Sequence, residues 1–446
     1  MFIKSDKLFL FLTNQEQAFS ARLCFCIFLI ILCFSLLFGI FCLRAVPQPK
    51  TVEGWHVPLV ESWVTKGFWR TGGLTIYQGK ADPNEHYLYK TSSPVAYYPM
   101  YIVQKVIHTV RGKTSMTFWR MHNISLWILS GSLIGFVTFL LLTNGFVLDL
   151  RYRSILSFCS SAVYMAHPMV YAATIMMNYD HITTMILIPI LVAVTLYAHL
   201  SHTDERIHTK YIIVLVAALT AINPPTAALY IASIIGFNVV SGVTLKDLRL
   251  KEYILPFIAV FILIKMHMLL GQYLLDVTGT VGSGFRFRSG LDGARDYMTG
   301  GYWSIFYDRI QWPGPHSIRW AGYFFLGSTA LALSLFVASR TAQMNLYCSQ
   351  VLPLAMLVVL YFFVFAQGAV IHPYQYDILI VILFTFSIFG WGGGWLLQWA
   401  RVKGVLAYFV VAVSIVFVMM HLRLYALDNP SPVHNWFPNT ATLSPI

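Results

Sequence analysis

Eleven long apolar runs constrain this sequence more than any other feature. A membrane-spanning α-helix needs about 20 consecutive apolar residues, and most of the runs approach or reach that length. Two shorter runs flank Asn223-Pro224-Pro225, where the break fits either a tight turn between two spans or a kink in one long helix. The predicted count is therefore eleven spans, or ten with a kink. The runs cover residues 21–43, 119–143, 154–173, 180–200, 211–223, 226–242, 253–271, 319–339, 349–368, 377–398 and 404–421.

The composition agrees with a chain whose main solvent is lipid. Of the 446 residues, 57% are hydrophobic and 11% are charged, whereas soluble domains carry about 25% charged residues. The sequence therefore predicts an all-α polytopic membrane protein. Its six cysteines lie in or beside apolar runs without the spacing of a metal site or a disulfide framework, which favours small apolar packing groups.

Lysine and arginine fall in alternate loops between the predicted spans. With a cytoplasmic N-terminus, the short outer loops 174–179, 223–225 and 369–376 contain neither residue, which is the positive-inside pattern. This topology accounts for much of the net charge of +12, so no nucleic-acid partner is needed. The basic residues of the inner segments are Lys4, Lys7, Arg22, Arg151, Arg153, Arg206, Lys210, Lys246, Arg249, Lys251, Arg340, Arg401 and Lys403.

Two segments on the predicted outer side are long, covering residues 44–118 and 272–318. In the first, Val57–Lys66 and Pro99–Val110 have the pattern of amphipathic helices that lie along a membrane surface. The whole chain, residues 1–446, is expected to form one transmembrane domain. Long ordered loops confined to one side indicate a functional site on that side.

Carboxylates are scarce, so those near the predicted outer boundary are candidates for chemistry. Glu53 follows the first span, Glu61 lies in the first surface helix, and Asp180 begins the fourth span. A carboxylate at the mouth of a span is costly unless it is paired or faces water. The alternatives are a helix N-cap for Asp180 and a solvated surface position for Glu61.

A series of widely spaced elements resembles the GT-C glycosyltransferases, membrane enzymes that use polyprenyl-phosphate sugars. The series is most similar to the branch with protein O-mannosyltransferases and lipid A aminoarabinose transferases. Val52-Glu53 stands where that branch often has Asp-Glu, and Lys90-Thr91-Ser92-Ser93-Pro94 replaces a Lys-Pro-Pro-like element. The elements, in chain order, are Glu53, Gly67-Phe68-Trp69, Lys90, Arg120 and Asp180.

The resemblance implies sugar transfer with inversion, in which a carboxylate removes the acceptor's proton. Glu53 is the predicted base, and Asp180 assists it or holds the acceptor. The leaving phosphate needs cations or donors. Lys90 matches the phosphate-side lysine of the family, and guanidinium groups pair with phosphate. The further phosphate candidates are Arg286, Arg288, Arg295 and His372; the substrate candidates are Glu61, Tyr89, Arg120, Tyr374 and Tyr376.

Several of these candidates have ordinary alternatives. The three arginines fit contacts with lipid headgroups equally well. His372 fits a hydrogen-bonded histidine in an interface loop, and Tyr374 and Tyr376 fit simple anchors at a helix end. No cofactor motif or metal-binding motif is found, and a divalent cation at the phosphate is left open.

The sequence thus predicts a GT-C-like glycosyltransferase of a bacterial inner membrane, with its site on the periplasmic face. Its donor would be a polyprenyl-phosphate sugar, its acceptor a cell-surface glycan or glycolipid of O-antigen type, and membrane lipids would surround it. One alternative is an O-antigen polymerase or ligase that uses a diphosphate-linked glycan. Another is a transporter or flippase for a lipid-linked sugar, for which Lys265 and His267 within the seventh span are the candidate residues.

Overall fold

In a computed structural model of the protein, the secondary structure of the described residues is helical apart from one two-stranded hairpin. The structure describes residues 21–45, 56–74, 76–78, 86–88, 93–167, 170–171, 183–201, 205–240, 250–275, 342–364, 374–400 and 402–427.

Thirteen α-helices are numbered here in chain order. They are α1 Ala21–Ala45, α2 His56–Ser62, α3 Tyr98–Arg111, α4 Met116–Gly145, α5 Leu150–Ala166, α6 Ile188–Ser201, α7 Glu205–Ile222, α8 Pro224–Val240, α9 Leu250–Leu274, α10 Ala342–Val364, α11 Tyr374–Thr385, α12 Gly393–Trp399 and α13 Lys403–Leu427. Helix α2 continues as a π turn, Trp63–Gly67, and a 3-10 turn, Phe68–Thr71; a π turn, Thr183–Leu187, leads into α6. A π segment, Phe386–Gly392, joins α11 to α12.

Five helical stretches among the described residues are long and apolar enough to cross a membrane, which identifies the chain as an α-helical integral membrane protein. Shorter apolar stretches of α6, α7, α8 and α10 accompany them. Ten of the eleven predicted spans fall on helices, and the run 319–339 lies outside the described residues. The five stretches are Arg22–Arg44, Thr117–Gly145, Lys251–Leu274, Ile378–Gln398 and Lys403–Arg423.

The proline break near residue 224 separates two helices. Helix α7 ends at Ile222, and Asn223 Oδ1 accepts a hydrogen bond from the backbone N–H of Thr226 at 3.2 Å. Asn223 is therefore the N-cap of α8, with Pro224 at the first helical position, where the missing N–H of proline costs nothing. Of the two readings of this break, the structure shows two helices.

Helix α4 is the centre of the bundle, with α1 and α5 packed against it. Small residues allow this approach, as in many membrane helix pairs. Gly135 faces Ile31 of α1 and the Ser157 carbonyl of α5. Hydroxyl groups also link the three helices: Ser35 Oγ of α1 lies 2.9 Å from Ser161 Oγ of α5, and Thr138 Oγ1 of α4 lies 2.7 Å from Ser160 Oγ of α5.

The substitution Gly135→Ala is expected to destabilise the bundle. A Cβ at this position would lie 3.0 Å from the Ser157 carbonyl oxygen and 2.9 Å from Ile31 Cγ2, so backbone must move. Such overpacking costs about 1–3 kcal/mol, which exceeds the gain of up to about 1 kcal/mol from replacing glycine in a helix. Thermal unfolding of the purified protein should show the loss. The control is Gly145→Ala at the end of the same helix, where a Cβ would meet nothing within 4 Å; equal losses in both variants would contradict this packing account.

A small subdomain, here called the cap (residues 56–74 and 93–115), lies between α1 and α4 in the chain. It holds α2, the two turns that follow it, and α3. Between its two parts, β1 (Ile76–Gln78) pairs antiparallel with β2 (His86–Leu88). The buried core of the cap consists of Leu59, Val60, Trp63, Val64, Ala96, Tyr97, Met100 and Trp119 of α4.

The two segments predicted as surface helices differ in their packing. The apolar side of the first is buried in the core of the cap, since Leu59, Val60, Trp63 and Val64 are almost fully inaccessible. The second corresponds to α3, which buries Met100, Gln104 and Ile107 and exposes other apolar side chains. Helix α2 thus serves the cap's own core, and only α3 presents an apolar side outward.

Candidate functional site

Most of the predicted site residues lie outside the part of the chain that the structure describes. The first turn of α11 contains Tyr374 and Tyr376, but their side chains are not described. Only Glu61 and Arg120 can be placed as side chains. The predicted residues outside the described ranges are Glu53, Tyr89, Lys90, Asp180, Arg286, Arg288, Arg295 and His372.

Glu61 links two parts of the cap. Its Oε1 accepts a hydrogen bond of 2.6 Å from Thr114 Oγ1, in the short connection between α3 and α4. Beside it, Gln104 bonds Ser115 twice, donating to its carbonyl at 3.1 Å and accepting from its N–H at 2.9 Å. The half-buried Glu61 therefore holds α2 to the start of α4. The role of Glu61 in substrate binding stays a prediction.

Arg120 lies in the second turn of α4 and is half-buried. It follows Trp119, whose ring is fully buried in the core of the cap. Glu61 and Arg120 are thus both at the junction of the cap and α4. The structure brings these two predicted residues to one region of the molecule.

Aromatic rings and glycine carbonyls fix the turn that ends the first part of the cap. Trp63 Nε1 donates to the Leu74 carbonyl at 2.9 Å, and the Phe68 ring stacks on Tyr101 at 4.6 Å. Gly73 has φ +69°, and a Cβ there would collide with the Phe68 ring, so only glycine fits. The Tyr98 hydroxyl lies 3.4 Å from the Gly73 carbonyl, and burial raises the pKa of Tyr98 to about 12.

Helix α9 anchors the cap to the bundle. His267 Nε2 donates to the Gly72 carbonyl at 2.8 Å. One turn further along α9, the Leu74 side chain fills the space over Gly271 and packs against Ile264 and Met268. His267 therefore has a role in holding the cap, which accounts for one of the two residues that suggested a transporter. The other, Lys265, lies with its Nζ 5.6 Å from the centre of the Phe261 ring.

Buried amide and imidazole side chains collect at the end of the bundle that carries the cap. That end contains the start of α4 and the ends of α7 and α9. Among the described residues, the middle and the far end of the bundle bury hydroxyl side chains but no amide or imidazole. The buried amides and imidazoles are Gln104 in the cap and Asn123, His167, Asn223 and His421 in the bundle.

Five buried side chains at this end are here called the polar cluster (Asn123, Trp127, His167, Tyr171 and His421). Contacts link Trp127, Tyr171, His167 and His421, with the backbone N–H of Tyr171 bonded to the His167 carbonyl. Trp127 lies one turn beyond Asn123 on α4; its Nε1 donates to the Met165 carbonyl at 3.2 Å, and its ring meets Tyr171 edge-on at 5.3 Å. The His167 and His421 rings are nearly perpendicular, with centres 5.0 Å apart. The cluster thus joins α4, the end of α5 and the end of α13.

His421 is unusual among these residues. It is 1% exposed, its ring lies 4.0 Å from that of Phe417, and neither ring nitrogen has a hydrogen-bond partner among the described residues. A buried polar group without a partner costs about 1–3 kcal/mol, so folding alone gives no reason for histidine here. A polar ligand bound at the cap end of the bundle would supply a hydrogen-bond partner for the His421 ring.

The substitution His421→Leu is therefore expected to leave thermal stability unchanged or raise it, because it removes a buried polar group that has no bond to lose. The matched variant His267→Leu removes the bond to the Gly72 carbonyl and should cost about 1 kcal/mol. Both are measured by thermal unfolding of the purified protein. A loss for His421→Leu as large as that for His267→Leu would show that His421 has a structural bond.

The cluster combines the side-chain types that bind hydroxyl groups: imidazole, amide, indole and phenol. Within the described ranges, no group of three or more His, Cys, Asp or Glu side chains could hold a metal ion. Sequence reasoning missed His167 and His421. Each is a lone histidine in or beside an apolar run, and that signal alone does not tell a packed histidine from a ligand-binding one.

No protein-family model matches this chain, and no curated protein matches its sequence.

Proposed function

We propose that this protein is a membrane glycosyltransferase that moves a sugar from a polyprenyl-phosphate donor to a cell-surface glycan or glycolipid. The observation that carries the proposal is the gathering of polar groups at one end of the bundle, beneath an ordered cap. Glu53 precedes the cap by three residues in the sequence, since α2 begins at His56. A lipid-linked donor can reach such a site from the bilayer, while a hydrophilic acceptor arrives from water.

In this proposal the chain has eleven spans in a GT-C-like arrangement within a bacterial inner membrane. The N-terminus is cytoplasmic, and the cap lies on the periplasmic face. The distribution of lysine and arginine among the short loops supports this orientation. The ten predicted spans that fall on described helices are compatible with it.

The reaction follows from the residues proposed for the site. The acceptor oxygen attacks the anomeric carbon and forms the glycosidic bond, while the bond from that carbon to the phosphate oxygen breaks. Glu53 takes the acceptor's proton, and polyprenyl phosphate leaves with the bonding electrons, so the sugar is inverted. Asp180 orients the acceptor. The cations at the phosphate stabilise the growing charge: Lys90, Arg286, Arg288 and Arg295, with His372 as a further donor.

The test is transfer of radiolabelled sugar by the purified protein from a panel of polyprenyl-phosphate sugars to lipopolysaccharide or glycolipid acceptors. Product formed in detergent would support the proposal and would exclude a flippase, which has no chemistry to perform. Chain elongation or ligation with diphosphate-linked glycans, and no transfer from any monophosphate donor, would replace the proposal with the polymerase or ligase.

A further inference from the structure

Helix α3 carries an exposed apolar stripe, defined as Pro99, Ile102, Val103, Val106 and Val110. These positions follow the spacing i, i+3, i+4, i+7 and i+11, so they share one side of the helix. Ile102 is 61% exposed and Val110 is 79% exposed. The buried residues of α3, Met100, Gln104 and Ile107, occupy a different side. The cap therefore uses one side of α3 for its own core and leaves the stripe uncovered.

The stripe lies close to the point where the chain enters the bilayer. Helix α3 ends at Arg111, and the span-length part of α4 begins at Thr117. The Arg111 guanidinium lies 5.8 Å from the centre of the Phe118 ring, in the first turn of α4. The end of α3 is thus held beside the start of a membrane-spanning helix. The stripe therefore lies on a helix that ends within a few residues of a membrane-spanning helix.

The charges around the stripe are mostly positive. The cap contains five lysines and arginines and a single Asp or Glu, Glu61, which is bonded to Thr114. Arg111 and Lys113 are exposed at the end of α3 that adjoins α4. An apolar side flanked by cations is the composition of helices that lie in the headgroup region of an anionic membrane.

We infer that the stripe rests in the leaflet at the cap end of the bundle and that Arg111 and Lys113 collect anionic phospholipid there. The bilayer then supports the cap from its lipid side, as α9 supports it from the bundle through Gly72 and Leu74. This inference does not depend on the proposed enzymatic function.

The test is photocrosslinking of the full chain in nanodiscs of phosphatidylcholine with phosphatidylglycerol. A benzoylphenylalanine at Val106 should form phospholipid adducts at least five-fold more often than one at His108, which is half-buried on the opposite side of α3. Val110 is a second position for the crosslinker, because it is exposed and a large side chain fits there. A peptide adduct from Val106 or Val110, within the chain or to a second copy, would overturn the inference, as would equal lipid adducts at Val106 and His108.

A second experiment tests whether anionic phospholipid is enriched beside the stripe. Phosphatidylglycerol should be enriched in the adducts at Val106 relative to its share of the nanodisc. The substitution Lys113→Gln should lower this enrichment about five-fold, the effect of one basic residue near an anionic surface. Adducts that match the bulk lipid composition in both proteins would overturn the anionic preference.

Discussion

The substitution Glu53→Gln is expected to lower sugar transfer by about 10²–10⁴-fold, the usual contribution of a general base. Glutamine keeps the size of the side chain and its carbonyl oxygen but cannot accept a proton at neutral pH. The measurement is the initial rate of label transfer by purified protein at saturating donor. Because Glu53 belongs to the sequence just before α2, the substitution should leave the thermal unfolding temperature of the bundle unchanged.

Glu252→Gln is the matched control. Glu252 lies in the first turn of α9 and its Oε1 accepts a 2.8 Å hydrogen bond from Thr209 Oγ1. The cap is bonded to the other end of α9, so this carboxylate is at the far end of the bundle. Normal transfer by Glu53→Gln would remove Glu53 as the base. Loss in Asp180→Asn alone would assign that role to Asp180.

The helices of the bundle could be predicted from the sequence because lipid cannot form hydrogen bonds with the backbone. Every backbone polar group in the bilayer must be bonded within the protein, so a long apolar run becomes a helix. The described helices of the bundle fall on ten such runs. The local chemistry at Asn223 and Pro224 also placed the break between α7 and α8, although it left the choice between a turn and a kink open.

The packing of the cap and the polar cluster could not be predicted, because both depend on contacts between distant parts of the chain. His267 bonds the carbonyl of Gly72, 195 residues earlier in the sequence. His421 lies in a similar apolar run yet meets His167 and has no hydrogen bond among the described residues. The apolar pattern of α2 likewise fits a membrane surface or a protein core, and only the packing of α3 and Trp119 distinguishes them.

The substitution Trp63→Ala is expected to unfold the cap while leaving the bundle intact. Trp63 is almost fully buried, its Nε1 bonds the Leu74 carbonyl, and its ring meets those of Phe68 and Tyr98 at 5.4 and 5.8 Å. Removing a buried tryptophan costs about 3–5 kcal/mol. The cap core is small and separate from the main core of the bundle, so this loss falls on the cap's local stability.

Hydrogen exchange of the protein in nanodiscs measures the local stability of the cap directly. Trp63→Ala should lose protection in residues 56–74 and 93–111, and α4 should keep it. Trp69→Ala is the matched control, since Trp69 is 88% exposed and only its edge contacts Phe68; it should exchange like the unaltered protein. If the cap positions the segment that holds Glu53, transfer must fall in Trp63→Ala as cap protection is lost. Full activity with an unfolded cap would place the reacting groups elsewhere in the protein.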